Sequence, residues 1–478
     1  MGAWLRLVGG FAFYGDRVET TEVRVAAGRA ARQDYPRTAI AVLAPRADGV
    51  DATTSVLAQA SGRLPELIPL RHHRMSESAF AFYRGTAGVM AADLADGSHS
   101  GLVVQLCGDA HLSNFGLFGS PERRLLFDLN DFDETLPGPF EWDVKRLVAS
   151  VELAGRSIGA TRDERRRACL GTGREYRMTM QHFARARAID VWYARLDAKG
   201  AEQAAAAALG HSAARNVRDV AAKARRRDHL QAVDRLTEVR ADGRRRFRSD
   251  PPLVVPIDEQ VFGVDAERFE AGLAGLVDLW RDSLPPDRRR LATEYEVVDL
   301  ARKVVGVGSV GTRAWIILLQ GANPGDLVVL QAKEAQASVL EPYLGASEYE
   351  HHGRRVVEGQ RLMQAASDVL LGWQTTQGID GILRDFYVRQ LRDWKGSVEV
   401  EQLRPAGLGA YARLCAWTLA RAHARSGDRL AIAAYLGTSS RADEAFAQFA
   451  TDYADRVEVD HAHFVDAIAR GEVPASSR

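Results

Sequence analysis

The stretch Gly108-Asp109-Ala110-His111-Leu112-Ser113-Asn114-Phe115-Gly116 organises the chain, together with the acidic segment Asp128–Glu134 that follows it. The apolar run Leu102–Leu106 leads into the first stretch, and a second apolar run, Arg124–Phe127, leads into the acidic segment. Short apolar runs bounded by Gly, Ser and Pro predict buried strands. The two polar loops are therefore expected at neighbouring strand ends. Because carboxylate and amide oxygens are ligands that Mg²⁺ prefers, these loops predict a magnesium site.

The spacing of Asp109 and Asn114 matches a requirement of phosphoryl transfer. That reaction uses one Asp to accept the proton of the attacking hydroxyl and an Asn to hold a metal ion, and D-x-x-x-x-N is the spacing in the catalytic loop of protein kinases. The spacing alone also arises by chance, and Asp131 and Asp133 then only decorate a turn. The acidic segment placed directly after a strand favours phosphoryl transfer over this simpler interpretation.

Length and composition indicate a globular protein with more than one lobe. The 478 residues exceed a single ordinary core, and 46% of them are hydrophobic while 26% are charged. A net charge of zero gives no electrostatic reason to expect nucleic acid or an anionic membrane as a partner. Three cysteines, no apolar run of about 20 residues and no convincing signal peptide predict a cytoplasmic protein without a disulfide framework or membrane span.

The sequence pattern divides the chain into four segments. These are an N-terminal extension without recognisable chemistry (1–65), a helical catalytic lobe with the catalytic and metal-binding loops (66–290), a β-rich nucleotide-binding lobe (291–400) and C-terminal helices that complete the catalytic lobe (401–478). The Pro-rich segment Leu284–Asp287 is the best candidate for a linker. Arg74 and Arg84 precede the acidic loops and either pair with them or form surface salt bridges.

A glycine-rich segment marks the β-rich lobe. Lys303–Thr312 contains G-x-G-x-x-G, and a strand-like run, Ala314–Leu319, follows it where a dinucleotide-binding fold would begin a helix. A glycine loop between two antiparallel strands is the arrangement with which protein kinases cover nucleotide phosphates. A flexible hairpin is the simpler alternative. The predicted nucleotide-binding residues are Gly306, Gly308, Ser309, Gly311 and Lys333.

Lys333 ends the next strand but one, where the kinase lysine holds the α- and β-phosphates. An acid on the following helix should pair with this lysine. Glu358 is the preferred partner because its neighbours read as helical and apolar, and Glu348 and Glu350 compete with it. The simpler alternative for Lys333 is a surface position beside Glu334.

The order of these motifs differs from that of ordinary kinases, in which the glycine loop and the lysine precede the catalytic loop. Here they follow it by about two hundred residues, and circular permutation accounts for this because chain termini usually lie at the surface, often close together. The segment Trp417–Arg425 supports a permuted order, since it resembles the helix that immediately precedes the catalytic loop in aminoglycoside phosphotransferase-like kinases.

Several long segments are similar to the bacterial family named domain of unknown function 2252. The similarity covers nearly the whole chain from about Arg24 onward and rests on the strings RMSESAFAFYRGTAGVMAADLA, QLCGDAHLSNFG, FDLNDFDETLPGPFEWDVKRL, KVVGVGSVGTR, LQAKEAQASVLEPYL, VVEGQRLMQAASD and LARAHARSGD. The short motifs also resemble kinase-like phosphotransferases. That second resemblance implies an α+β, two-lobe kinase-like fold in circularly permuted order, with a small antiparallel sheet lobe and a large, mostly helical lobe.

The kinase-like resemblance also implies roles for single residues. Asp109 is the expected catalytic base, and Asp143 is the buried acid that braces the catalytic loop. Asn114 and one Asp of the acidic segment are the expected Mg²⁺ ligands. Asp131 is preferred because Asp131-Phe132 resembles the kinase D-F-G start, with the other acids of the segment, Asp128 and Asp133, left open.

The predicted function is transfer of phosphate from ATP, with Mg²⁺, to a hydroxyl of a small-molecule or protein acceptor. Cys107-Gly108 replaces the His-Arg of protein kinases, as in sugar and antibiotic kinases, which favours a small molecule. The predicted catalytic residues are Asp109, Lys333 and Glu358. AMP transfer on the same fold and a nucleotide-binding pseudokinase scaffold are the alternatives. A further one is a metal-dependent phosphoesterase that uses Asp109, His111, Asp128 and Asp131.

Overall fold

The structure is a computed structural model that describes residues 19–46, 51–209, 211–226, 229–241, 243–256, 277–304, 310–377, 382–391, 394 and 396–477. The helices before the six-stranded sheet are α1 (Thr21–Asp34), α2 (Ala52–Ala58), α3 (Ile68–Ser76), α4 (Ala79–Arg84), α5 (Ala87–Ala95), α6 (Phe140–Ser157), α7 (Arg162–Arg185), α8 (Ala188–Tyr193), α9 (Ala198–Leu209), α10 (His211–Arg226) and α11 (His229–Leu236). The later helices are α12 (Pro286–Ala292), α13 (Glu341–Leu344), α14 (His352–Met363), α15 (Pro405–Ser426), α16 (Arg429–Leu436) and α17 (Arg441–Ala469).

All strand pairs of the described residues are antiparallel. The strands are β1 (Val103–Leu106), β2 (Phe115–Gly119), β3 (Leu125–Leu129), β4 (Leu136–Pro139), β5 (Leu196–Asp197), β6 (Thr237–Val239), β7 (Arg245–Phe247), β8 (Val254–Pro256), β9 (Glu296–Lys303), β10 (Ala314–Gln320), β11 (Leu327–Ala335), β12 (Gly372–Gln377), β13 (Leu383–Gln390) and β14 (Gly396–Ser397). The largest sheet has the order β12-β13-β11-β10-β9-β8, a smaller one has the order β14-β2-β3-β5, and β1-β4 and β6-β7 are two-stranded.

The helical region is built around α15, which packs against α7 and α6, while α17 packs on the same two helices. Small and apolar side chains such as Ala420 and Leu419 are fully buried on α15, as expected for a helix that is apolar on most of its surface. A capping box of Thr161 and Glu164 begins α7. The helices therefore form one extended core, to which α1 and α16 add a further layer.

The six-stranded sheet carries Lys333, the lysine that is predicted to bind phosphate, on strand β11. β11 is its most buried strand, since each of its residues is buried. Successive side chains of a strand point to opposite faces, and the face with Leu330 packs under Trp280 and Leu284. Val329, on the opposite face, packs with Phe247. Lys333 shares the face of Val329 further along β11 and so points to the helical region.

The predicted α+β class with small antiparallel sheets is confirmed. The predicted start of the β-rich lobe at residue 291 does not coincide with the edge of the sheet, because β8 precedes the linker and pairs with β9. Val277, Trp280, Leu284 and the last residue of α12, Ala292, also pack on the sheet. Among the described helices, none combines the length and apolar character needed to cross a membrane.

Candidate active site

The loop that follows β1 is held in a fixed position by Asp143. The Asp143 carboxylate, which is 1% exposed, accepts hydrogen bonds from the backbone N–H of Cys107 (2.8 Å) and of Gly108 (3.1 Å). Gly108 has a φ of +83°, and a Cβ atom there would lie 2.3 Å from the carbonyl oxygen of Glu134, so glycine is required by both conformation and space. The predicted bracing role of Asp143 is confirmed by these contacts.

A chain of buried side chains supports Asp143 from behind. His423 on α15 lies with Nε2 3.2 Å from Asp143 Oδ2, and its Nδ1 lies 2.8 Å from the hydroxyl of Tyr176 on α7. Both rings are buried within the helical core. Buried polar networks of this kind fix one side-chain arrangement when each member has a partner. The loop therefore takes its position from α6, α7 and α15 together.

Asp109, the predicted catalytic base, is held by an arginine that the sequence analysis did not single out. Its Oδ1 accepts a hydrogen bond from Nε of Arg146 (2.8 Å), whose Nη2 also lies 2.8 Å from that oxygen. Arg146 is itself fixed by Tyr83, whose carbonyl oxygen it contacts at 2.7 Å and whose ring lies 3.8 Å below the guanidinium. Burial raises the pKa of Asp109, and Arg146 opposes that rise. The Asp109 side chain is 20% exposed, so it remains accessible from the cavity.

His111 lies beside the second carboxylate oxygen of Asp109. Its Nε2 is 3.6 Å from Asp109 Oδ2, and its Nδ1 accepts a hydrogen bond from the backbone N–H of Ser113 (3.2 Å). Burial and then the nearby cations Arg84 and Arg146 lower the pKa of His111 well below its ordinary value. His111 is therefore neutral at pH 7, with the proton on Nε2 facing Asp109.

The structure brings Lys333 to the acidic segment, although 200 residues separate them in the chain. Nζ of Lys333 contacts Asp133 Oδ2 and lies 3.9 Å from Asp131 Oδ2. Tyr387 on β13 donates its hydroxyl proton to Asp133 Oδ1 (2.9 Å). Burial lowers the pKa of Lys333, but Asp131 and Asp133 outweigh burial and raise it overall. Lys333 is therefore charged and connects the six-stranded sheet to the acidic segment.

The prediction that Glu358 is the partner of Lys333 is wrong. Glu358 forms an ion pair with Arg361 one turn along α14, at 3.2 Å. The side chain that α14 sends to the acidic segment is Arg355, which donates hydrogen bonds to the carbonyl oxygens of Asp133 (2.8 Å) and Thr135 (2.7 Å). An apolar helical context identified the helix but not which face of it turns towards the lysine.

Asp128 is wrongly placed among the predicted metal ligands. Its carboxylate accepts hydrogen bonds from Nη2 of Arg421 (2.5 Å) and from the backbone N–H of Leu129 (2.9 Å) and Ala365 (2.8 Å). Asp128 and Arg421 are each 1% exposed. Since its oxygens are turned into the protein and already paired, Asp128 is a structural residue of the helical core.

The other predicted metal ligands line one cavity of about 500 Å³ between the sheet and the helical region. Asn114, Asp131 and Asp133 all reach it, as does Asp109. The amide of Asn114 donates to the carbonyl oxygen of Asp109 at 2.7 Å. Within the described ranges no group of three or more His, Cys, Asp or Glu side chains is arranged to hold a metal ion.

Most of the predicted glycine loop lies outside the described residues, namely Gly306, Gly308 and Ser309. Gly311 is described and has a φ of +92°. It lies against Arg63, whose Cβ would be 3.0 Å from a Cβ at position 311, and its carbonyl oxygen accepts a hydrogen bond from the backbone N–H of Leu64 (2.7 Å). The end of the N-terminal extension thus packs on the end of the glycine-rich segment and lines the cavity with residues 59 and 61–63.

Three residues that hold cavity-lining residues in place were absent from the sequence analysis. Arg146 follows Asp143 by three residues and therefore shares its face of α6, which is the signal that could have identified it. Arg355 and Tyr387 offer no such local signal, because their contacts join segments more than 200 residues apart.

The fold and the cavity define an α+β protein in which a small antiparallel sheet and a helical region enclose a cavity lined by charged side chains. The chain belongs to the family domain of unknown function 2252, described as an uncharacterized protein conserved in bacteria, whose sequence profile matches residues 63–467. This match confirms the family resemblance found in the sequence. No curated protein and no solved structure matches the chain.

Proposed function

We propose that the protein transfers the terminal phosphate of ATP to a hydroxyl of a small-molecule acceptor, with Mg²⁺, through a permuted kinase-like arrangement of its motifs. The observation that carries the proposal is the contact of Lys333 with Asp131 and Asp133, which line the same cavity as Asp109 and Asn114. Phosphoryl transfer needs these residue types together. Lys333 lies on the third strand of a run in which β9, the glycine-rich segment, β10 and β11 are followed by α13 and α14. This order resembles that of protein kinases.

In the proposed step the acceptor oxygen bonds to the γ-phosphorus, the bond from that phosphorus to the bridging oxygen breaks, and ADP leaves. Asp109 accepts the hydroxyl proton. Arg146 occupies Asp109 Oδ1, so Oδ2 is the atom that faces the acceptor. The raised pKa of Asp109 improves the match between this base and neutral pH. Lys333 is charged and binds phosphate oxygens when the nucleotide is present.

The donor set of the cavity fits Mg²⁺. Proteins bind this ion through one or two carboxylates and complete its shell with water and substrate phosphates, so a group of three acidic side chains is not needed. Asp131 and Asp133 would supply carboxylate oxygens, and Asn114 would supply its amide oxygen, which is not used in the hydrogen bond to Asp109. The ion would neutralise charge on the β- and γ-phosphates.

Calorimetric titration with Mg²⁺ and a non-hydrolysable ATP analogue tests the nucleotide site. We expect one-to-one binding, weakened about tenfold or more by Lys333→Ala, because charge-assisted hydrogen bonds are typically worth about 1.5–3 kcal/mol. Lys333→Arg should not restore affinity, since a planar guanidinium differs from a compact ammonium. Lys199→Ala, at an exposed position on α9, is the matched control and should bind as the unaltered protein does.

Transfer itself is tested with ATP and a metabolite mixture, with the product mass showing whether phosphate or AMP was added. Asp109→Asn should lower the rate by about 10²–10⁴-fold, the usual contribution of a positioned base, while nucleotide affinity stays nearly unchanged. A folded protein that binds no nucleotide at millimolar concentration would overturn the proposed function. A product that carries AMP would support the proposed nucleotide site and would show that the reaction is AMP transfer instead of phosphate transfer.

A further inference from the structure

The cavity is also lined by two arginines that the proposed function does not use. The carboxylates of Asp109 and Asp133 have the cationic partners Arg146 and Lys333. Arg63 and Arg84 line the same cavity, and among the described residues neither forms an ion pair with a carboxylate. Carboxylates act on both arginines only over longer distances.

Arg63 and Arg84 reach the cavity from different elements. Arg84 ends α4, and its Nε atom is buried without a hydrogen-bond partner in the described part of the chain. Arg63 donates from Nη1 to the carbonyl oxygen of Val310 (2.6 Å), and its Nε is likewise buried and unpartnered. Burial lowers the pKa of both side chains. The Arg84 cation also acts on the pKa values of Asp109 and His111, which places it near the proposed base.

A third arginine, Arg71, stands behind this wall. It is 1% exposed, and its Nη2 donates to the carbonyl oxygen of Gly85 (2.9 Å), a residue that lines the cavity. Nε and Nη1 of Arg71 are buried without a partner among the residues that the structure describes. Burial lowers the pKa of Arg71 to about 9, and the nearby Arg63 cation adds to that effect.

Buried guanidinium nitrogens without a hydrogen-bond partner are unfavourable, because their desolvation is not repaid. Three arginines with such nitrogens lie at or directly behind the cavity wall, and they are therefore expected to have a ligand. The ligand must be an anion, and guanidinium groups suit phosphate and carboxylate because both accept two parallel hydrogen bonds.

We propose that Arg63 and Arg84, backed by Arg71, bind a phosphate or carboxylate group of the acceptor, so that the acceptor is a small anionic molecule that also carries the hydroxyl. This inference rests on the proposed function for the transfer step. Arg63 and Arg84 hold the anionic group, and the hydroxyl reaches Asp109 Oδ2. The γ-phosphate passes to that hydroxyl oxygen, its proton passes to Asp109, and ADP leaves.

Two molecules could supply the anion that these arginines bind, namely the acceptor and the nucleotide with its phosphate groups. The experiment separates them by filling the nucleotide site first. The full chain is saturated with Mg²⁺ and a non-hydrolysable ATP analogue, and is then titrated calorimetrically with inorganic phosphate. The γ-phosphate position is occupied in this complex, so additional phosphate reports on a separate anion site.

We expect phosphate to bind to the nucleotide complex with one-to-one stoichiometry. Arg84→Gln and Arg63→Gln should each weaken phosphate binding about tenfold or more, while affinity for the ATP analogue changes by about threefold or less. Arg84→Lys keeps the charge and loses the planar guanidinium group. Its phosphate affinity should therefore lie between that of the unaltered protein and that of Arg84→Gln. Arg166→Gln, at an exposed position on α7, is the matched control and should change nothing.

Arg71→Met separates a ligand role from a structural one. If Arg71 only stabilises the fold, Arg71→Met should lower the melting temperature. If Arg71 supports anion binding, Arg71→Met should lower phosphate affinity. The melting temperature should then be maintained or raised, because the variant removes an unpaired buried charge.

The other outcomes are also decisive. Phosphate that binds only without nucleotide, together with weaker nucleotide binding in Arg84→Gln, would assign these arginines to the nucleotide and overturn the proposal. Phosphate binding that every variant retains, or none at all, would overturn it too. Phosphate binding through Arg84 without any nucleotide binding would keep the anion site and overturn the proposed function instead.

Discussion

Two ion pairs formed by the same acidic segment differ sharply in their surroundings. Asp128, at the start of the segment, pairs with Arg421 inside the helical core, and both side chains are 1% exposed. Asp133, near its end, pairs with Lys333 at the cavity, and its side chain is 27% exposed. Five residues of one chain segment thus separate a structural acid from an acid that a ligand can reach.

Both oxygens of each carboxylate have hydrogen-bond partners, and the difference lies in how deeply each carboxylate is buried. Asp128 accepts backbone hydrogen bonds on both oxygens in addition to its arginine, which satisfies a buried charge and fixes the segment to β3 and to the end of α14. Asp133 accepts from Lys333 and Tyr387 and still lines open space. Both residues are Asp of one chain segment, so burial decides which of the two carboxylates has access to a metal ion or a phosphate.

The largest expected effect comes from breaking the buried pair. Asp128→Asn should lower the free energy of unfolding by about 3–5 kcal/mol, because it leaves the Arg421 charge buried and uncompensated. Asp131→Asn, at the cavity with a side chain 32% exposed, should lower it by about 1 kcal/mol or less. Urea unfolding of both variants measures the two changes in the free energy of unfolding.

The same two variants are then titrated with Mg²⁺ and the ATP analogue. Asp131→Asn should weaken Mg²⁺-dependent binding, and folded Asp128→Asn should not. The opposite pattern, with a stable Asp128→Asn that loses the metal dependence, would restore Asp128 as a metal ligand and remove Asp131.

The local part of this site could be predicted from the sequence. The strand ends, the loop with Asp109 and Asn114, and the bracing role of Asp143 follow from residues within one stretch of the chain. The kinase-like order of motifs predicted that Lys333 lies on a strand that follows the glycine-rich segment, although its pairing with Asp133 was not expected. These features depend on element type and order, which short-range patterns encode.

The parts that could not be predicted depend on orientation and long-range packing. An amphipathic pattern identified α14 but did not decide whether Glu358 or Arg355 turns towards the cavity. Asp128 and Asp131 have the same chemistry, and only α15, nearly 300 residues later, determines that Asp128 is buried. Arg84 was expected to pair with the acidic loops or to form a surface salt bridge, whereas its Nε is buried and unpartnered within the described residues.

A smaller effect is expected from Glu134, the neighbour of Asp133. Burial raises its pKa to about 7 from the ordinary 4.5. The folded protein therefore holds the proton more tightly than the unfolded chain does. The stabilisation is complete below about pH 4.5 and is lost as the pH rises through about 7, by roughly 1–3 kcal/mol.

Glu134→Gln mimics the protonated side chain and isolates this contribution. Its free energy of unfolding, relative to that of the unaltered protein, should increase steadily between pH 5 and pH 8 in urea titrations. The raised pKa would be contradicted if the two proteins differed by a constant free energy of unfolding across this pH range.

The smallest effect is expected from Glu358, whose ion pair with Arg361 is partly exposed and lies on one turn of α14. Such pairs contribute about 0–1 kcal/mol, so Glu358→Ala should leave stability and nucleotide affinity almost unchanged. In double-variant cycles Glu358→Ala and Lys333→Ala should be additive, whereas Asp133→Asn and Lys333→Ala should show a coupling of about 0.5–3 kcal/mol, as groups in contact do. A strong coupling between Glu358 and Lys333 in the presence of the ATP analogue would mean that the lysine exchanges Asp133 for Glu358 when nucleotide binds. The Asp133–Lys333 ion pair would then be one of two alternative pairings of the lysine, whereas the buried Asp128–Arg421 pair would be the same with and without nucleotide.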